Sequence, residues 1–187
     1  MKRLLQVMLL LSTTIASAQV SGVWDETANV FVLKNEKGVV ILKTKYTYMG
    51  TFSNGLAAVR NDADNTFGYI NTAGKVIINF KFQKAQDFSV GLAAVEMNGK
   101  FGFIDKTGKT VVPFQYESAD PFDENFGLAR VWLDGKVGCI DKTGAVIIEI
   151  KYDSVDFIDE DVFVELNDEC GTFDKTGQVL LDMSGCG

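Results

Sequence analysis

The chain contains no histidine. That removes the commonest general base and the commonest metal ligand together. No serine or cysteine can then be activated by an adjacent imidazole, and no Gly-x-Ser-x-Gly elbow occurs. The glycines stand singly and never cluster ahead of a helical pattern, which excludes a phosphate-cradling loop. The three cysteines, Cys139, Cys170 and Cys186, include no CxxC spacing, so a zinc site has no ligand set. After residue 18 no apolar run is long enough to span a bilayer, and none sustains a 3.6-residue stripe. Positive charge is scarce too: 18 Lys and Arg stand against 25 Asp and Glu, for a net charge of −7. Such a chain repels phosphate backbones and anionic lipid, so neither nucleic acid nor a membrane surface is an expected partner.

The one long apolar run is at the start. Lys2 and Arg3 precede Leu4 to Ile15, and Ala16-Ser17-Ala18 supplies a small-x-small cleavage site. Residues 1–18 read as a secretory signal peptide, too short to anchor in a bilayer. Removing Lys2 and Arg3 takes the net charge to −9. Residues 19–187 suit one domain, with a core of ordinary size. The expected location is the periplasm, the cell surface or the extracellular medium, and no membrane insertion is expected after cleavage. In such an oxidising setting Cys170 and Cys186, which flank the last hairpin, are candidates for a disulfide. That bridge would close a loop of about 15 residues, worth roughly 3 kcal/mol on a chain-entropy argument. Cys139 holds the strand position filled by Phe103 and Tyr69 elsewhere and is expected to be a buried free thiol.

What the sequence has in abundance is repetition. FGFIDKTGKTVVPFQY (101–116) recurs as FGYINTAGKVIINFKF (67–82), as VGCIDKTGAVIIEIKY (137–152) and, shortened, as CGTFDKTGQVLLD (170–182). A worn copy, FVLKNEKGVVILKTKY (31–46), precedes them. The turn glycines Gly38, Gly74, Gly108, Gly144 and Gly177 are 36, 34, 36 and 33 residues apart. Length differences fall in loops, notably Asn61–Asn65 and the two extra residues between Phe122 and Gly127, as a repeat array requires.

Within a unit the pattern has period two. Phe101, Phe103 and Asp105 alternate with Gly102, Ile104 and Lys106, and Val112, Phe114 and Tyr116 alternate with Val111, Pro113 and Gln115. Each unit therefore reads as a three-stranded antiparallel meander, and the chain as all-β. Asn98-Gly99 and Asp134-Gly135 suit two-residue hairpin turns, which need positive φ at both places. Asp105-Lys-Thr-Gly108 reads as a capped turn that rejoins the ladder through a bulge. Pro113 lacks a donor and belongs at an edge or bulge. One meander cannot bury its own apolar face, so about five must stack, with irregular end units as caps. An open superhelical sheet is favoured over a closed propeller.

The aromatic-Gly-x-Ile-Asp-x-x-Gly-Lys block, the apolar strand ending in Tyr, and Phe-Ser-x-Gly-Leu-Ala-x-Val resemble the bacterial WG (Trp-Gly) repeat family over nearly all of 31–182. The naming tryptophan is replaced by Phe67, Phe101, Val137 and Cys170, and Val32 replaces the glycine of the first copy. The resemblance implies a β-repeat protein, often exported, with no common activity and no catalytic residues to carry over.

Chemistry then rests on carboxylates alone. Asp123 with Glu124, and Asp159, Glu160 and Asp161, are the dense acidic sites, and a glycosidase would need such a pair across a cleft. As loops between strands in an acidic protein they need no chemistry to explain them. Asp105, Asp141 and Asp174 form a row, but each opens a turn that needs a capping side chain. Asp62, Asp64 and Asn65 alternate like calcium ligands, yet the glycine and terminal glutamate of an EF-hand loop are missing. We therefore expect no enzyme, no metal and no cofactor. For binding, Trp132 and Arg60 are the candidate residues, since Trp132 stands where Arg60 and Glu96 stand in other copies. Either Trp132 faces outward as an anchor or it packs on the adjacent unit. The expected function is presentation of a surface to an unknown protein partner. A carbohydrate-binding module of the envelope using aromatic side chains is the alternative, and a glycosidase comes third.

Overall fold

A computed structural model describes residues 19–185. The expected signal peptide, residues 1–18, and Cys186 lie outside the described residues. Five antiparallel sheets follow one another along the chain. The first holds β1 (Ser21–Asp25), β2 (Val30–Lys34) and β3 (Val40–Lys43). The second holds β4 (Leu56–Asn61), β5 (Thr66–Asn71) and β6 (Val76–Phe82). In the third come β7 (Lys84–Ala85), β8 (Leu92–Met97), β9 (Lys100–Asp105) and β10 (Thr110–Tyr116). The fourth comprises β11 (Ser118–Ala119), β12 (Ala129–Leu133), β13 (Lys136–Ile140) and β14 (Val146–Tyr152). The fifth comprises β15 (Ser154–Ile158), β16 (Asp161–Leu166), β17 (Glu169–Phe173) and β18 (Val179–Gly185). The fold is all-β, as the period-two pattern requires.

Two features go beyond that pattern. The last three units gain a fourth strand from the linker, two residues long in β7 and β11 and five in β15, through pairings such as Ala85↔Val95, Ala119↔Val131 and Val155↔Val164. The isolated bridge Met49↔Val59 is its remnant in the second unit. Nor do the units form one continuous sheet. Successive sheets are separate ladders that meet by packing.

The turns carry the chemistry the sequence demands. Asn98 and Gly99 have φ of 55° and 75°, and Asp134 and Gly135 have 53° and 71°, the positive pair of a tight hairpin. At the second turn Asp105 Oδ1 accepts the Thr107 amide at 2.8 Å, the Thr107 hydroxyl at 2.6 Å and the Lys109 amide at 3.1 Å. Asp141 and Asp174 repeat this arrangement.

The glycine after the aromatic position has a steric cause. A Cβ on Gly68, Gly102 or Gly138 would stand 2.6, 2.7 or 2.5 Å from the carbonyl oxygen of Ile78, Val112 or Ile148. That close approach lets the outer strand bulge and run on to Phe82, Tyr116 or Tyr152. In the first unit Val32 takes the place of this glycine, and β3 stops at Lys43 after four residues, against seven in β6, β10 and β14. Pro113 is exposed beside the bulge of β10, an outer strand, where its missing donor costs nothing.

The two faces of each sheet serve different neighbours. In the third unit Leu92, Ala94, Phe101, Phe103, Val112 and Tyr116 face forward onto Ala119, Phe122, Ala129, Val131 and Ile140 of the fourth. Ala85, Phe88, Ala93, Val95 and Ile104 face back onto the second unit's Leu56, Ala58, Tyr69, Ile78 and Phe82. Equivalent clusters join first to second and fourth to fifth. Each core is thus shared between two units, and no unit owns one.

Candidate functional site

The repeat is broken most heavily where the fourth unit meets the fifth. In the second and third units the Gly-Leu-Ala-Ala-Val strand places Ala58 and Ala94 on the forward face, whereas the fourth carries Arg130. Its side chain is about a third exposed and reaches across the junction. Nε and Nη2 donate to Asp120 Oδ2 at 2.8 and 2.7 Å, while Nη1 donates to the Val155 carbonyl at 3.0 Å and to Asp156 Oδ1 at 3.1 Å. The guanidinium also lies 6.0 Å from the Trp132 ring centre and 5.9 Å from that of Phe157.

Trp132 is half-buried and packs with the fourth–fifth cluster around Val155, Val162 and Val164. It thus packs on the adjacent unit while part of its surface stays exposed. Arg60 occupies the corresponding place two units earlier. Its Nε donates to Asp62 Oδ1 at 3.0 Å and its Nη2 to the Thr47 hydroxyl at 3.2 Å, so it is tied to its own loop. The structure does not bring Arg60 and Trp132 together in one site.

The loop insertion before Gly127 contributes Phe126, whose amide is capped by Asp123 Oδ1 at 3.0 Å. Its ring stacks on Phe157 with centroids 4.5 Å apart and planes 17° from parallel. On one side of this pair lies a groove of about 680 Å³ lined by Asn125, Phe126, Asp159, Glu160, Asp161 and Asp174, with Lys175, Thr176 and Leu180 beyond. Asp120, Asp123, Arg130 and Phe157 line a second, smaller one of about 400 Å³. The acidic stretch 159–161 therefore faces the insertion loop across a groove. Arg130 and the Phe126–Phe157 stack carry the site and were not singled out by sequence reasoning. The visible signal was Arg130 itself, standing in an alanine column.

The remaining candidates resolve into local structure. Thr107, Thr143 and Thr176 hydroxyls and the turn amides hold the carboxyls of Asp105, Asp141 and Asp174 below the usual range. In the Asp62–Asn65 loop, Asp62 accepts from Thr47 and Arg60, and Asp64 from Thr66. Among the described residues no group of three or more acidic or cysteine side chains could hold a metal ion. Cys139 is free and buried, and burial pushes its thiol up to about 12, which keeps it protonated and unreactive. Cys170 is buried opposite Ser184, two residues before Cys186, and is disulfide-bonded.

No curated protein sequence matches the chain. Among solved structures, a crystal structure of a eukaryotic initiation factor aligns with TM-score 0.55 at 10% identity, covering 91% of this chain and 53% of that one. This chain thus spans about half of that protein's length, and the likeness shows the fold alone. A crystal structure of a protein of unknown function from Bacteroides caccae aligns with TM-score 0.37 at 13% identity over 90% of this chain and 73% of that one. The WG containing repeat matches in four tandem copies, at residues 33–63, 67–101, 101–136 and 138–164. The copies are staggered against the sheets: they open in β2, β5, β9 and β13, and each runs through that sheet's outer strand into the next sheet. This chain belongs to the WG repeat family.

Proposed function

We propose that this is an exported, non-enzymatic repeat protein that presents the junction of its fourth and fifth units to a protein partner. The observation that carries the proposal is the convergence of repeat-breaking residues. Arg130 replaces alanine, Trp132 replaces Arg60 and Glu96, and the insertion supplies Phe126 to stack on Phe157. Four carboxylates, from Asp159, Glu160, Asp161 and Asp174, line the adjoining groove with one Lys. An extended segment carrying Lys or Arg beside an apolar side chain suits that combination, because charge steers the approach and the aromatic edge supplies desolvated contact. The turn carboxyls, lowered and fully engaged in capping, are poor proton donors at neutral pH. The pattern Lys2-Arg3 to Ala18 supports export to the periplasm, the cell surface or the medium.

Residues 19–187, which include all five sheets, would be used as bait against detergent-solubilised envelope from the host, beside D159N/E160Q/D161N and F157A. A protein retained near equal stoichiometry, released by salt and lost with both variants, is the expected result. Glycan retained without protein moves the assignment to a carbohydrate-binding module. Turnover of a glycan that D123N or D159N abolishes would instead make it a glycosidase. Export is checked by fractionation, with a processed form starting at Gln19 expected outside the cytoplasm.

A further inference from the structure

The junction of the fourth and fifth units already seats one arginine. Asp120 Oδ2 accepts from Arg130 Nε and Nη2 at 2.8 and 2.7 Å, and Nη1 reaches the Val155 carbonyl at 3.0 Å and Asp156 Oδ1 at 3.1 Å. The ring centres of Trp132 and Phe157 lie 6.0 and 5.9 Å from the guanidinium carbon. Such a seat suits a planar cation with a rigid fork of donors and a weakly hydrated face. The adjoining groove supplies the same ingredients from a second set of residues. Phe126 lines it and stacks on Phe157, the ring that Arg130 approaches, so the two places share one aromatic stack. Asp159, Glu160 and Asp161 line it too, and none of the three is in an ion pair among the described residues. Resting on the proposed role of this junction, we infer that the groove selects arginine over lysine and that the partner engages it through an arginine-bearing segment.

Charge along the chain favours a cation at this end of the array. Residues 19–116, which hold the first three sheets, carry 11 Lys and Arg against 8 Asp and Glu, a net charge of +3. Residues 117–187, which hold the last two, carry 5 against 17, a net charge of −12. A basic segment is therefore steered to the fourth and fifth units and away from the first three. Charge alone does not separate arginine from lysine. The ring does. A guanidinium can lie over Phe126 and still turn its donor fork to the carboxylates beside it. A lysine ammonium is a compact, strongly hydrated point charge and has no flat face to lay on the ring. Asp174, the fourth carboxylate of the groove, already accepts from Thr176 and Gln178 through Oδ1, which leaves the recognition to residues 159–161. At about 680 Å³ the groove is of ligand size.

The test titrates acetyl-Arg-Leu-Arg-amide and acetyl-Lys-Leu-Lys-amide separately into isotope-labelled residues 19–187 at low salt, following backbone amide shifts by NMR. The two probes carry equal charge, so the difference between them reads the planar contact. The arginine peptide should bind about fivefold more tightly, with shifts centred on Phe126 and residues 159–161 and affinity falling as salt is added. D159N/E160Q/D161N should weaken both peptides at least about tenfold. F126L keeps apolar bulk and removes the ring, and should bring the arginine peptide down to the level of the lysine one while leaving the latter unchanged. Equal affinities overturn the inference. So does an arginine peptide that fails to bind up to about 10 mM, a range that covers millimolar contacts. Shifts centred elsewhere, or a preference that F126L leaves intact, overturn it as well. Should F126L disturb the fold, the comparison of the two peptides on the parent chain decides alone. A host protein captured at the junction while the peptides bind alike sinks the arginine preference and leaves the partner reading standing. A selective peptide site with no captured protein does the reverse.

Discussion

The junction between the third and fourth units and that between the fourth and fifth are built on one plan and filled differently. In the former, Ala94, Phe103 and Val112 meet Phe122 and Val131, and Phe103 lies 4.8 Å from Phe122 between ring centres. Every one of those side chains is buried. In the latter, the alanine column holds Arg130, the Phe103 column holds Cys139, and the aromatic contact has moved to the half-buried Phe126–Phe157 pair at the surface. One junction is a sealed apolar core. The other keeps a smaller core and spends side chains on ion pairs and an open groove. A repeat scaffold can specialise one interface in this way because each junction is stabilised locally by its two units.

Three substitutions sharpen the contrast. Phe103→Ala empties the sealed junction and should cost about 3–5 kcal/mol, read as a fall in the denaturant midpoint. Gly102→Ala drives a methyl toward the Val112 carbonyl, 2.7 Å from the added carbon, where the neighbour is backbone and cannot swing away. The cost should be about 1–3 kcal/mol, from the same unfolding curves. Arg130→Ala gives the fourth unit the residue the second and third units have, yet removes ties to Asp120, Asp156 and Val155. These groups are a third or more exposed, so solvent screening limits the loss to about 1 kcal/mol, with its ion-pair share shrinking at high salt. A loss as large as that for Phe103→Ala would mean the two junctions do not differ as described.

The smallest effect concerns acid. The carboxyls of Asp105, Asp141 and Asp174 are lowered in the folded chain, chiefly by the Thr hydroxyls beside them. A lowered folded pKa contributes stability that is present above the unfolded value, about 3.9, and is lost as pH falls through the folded one. D105N/D141N/D174N keeps an acceptor at each turn, as Asn35 and Asn71 do naturally. Its neutral-pH stability should stay close to that of the parent, and its acid unfolding midpoint should move to lower pH. An unchanged midpoint would show that the turns do not drive acid unfolding.

Much of this was legible because short-range rules govern it. Alternation in 101–105 and 110–116, Asn98-Gly99, and the Asp-Lys-Thr-Gly turns specify strands, hairpins and caps within a few residues. The linking strands β7 and β11 were not legible, because two residues such as Lys84 and Ala85 carry no periodicity and pair only once a neighbouring strand offers its edge. Arg130 was visible as an exception to a column, but its meaning lay in Asp120 and Asp156, residues contributed by two different units. Trp132 drew notice as an exception to the column of Arg60 and Glu96, and the structure adds that it packs half-buried at the fourth–fifth junction.

The sequence by itself determined the unit: its strands, turns, capping carboxylates, period and number. Local backbone preference and alternation suffice for that. Only the tertiary structure decided which face of each unit meets which neighbour, why the glycine after each aromatic must lack a side chain, and which exceptions gather in one place. Those depend on the distance between separate sheets, and repeats that read alike along the chain acquire different surroundings once they stack.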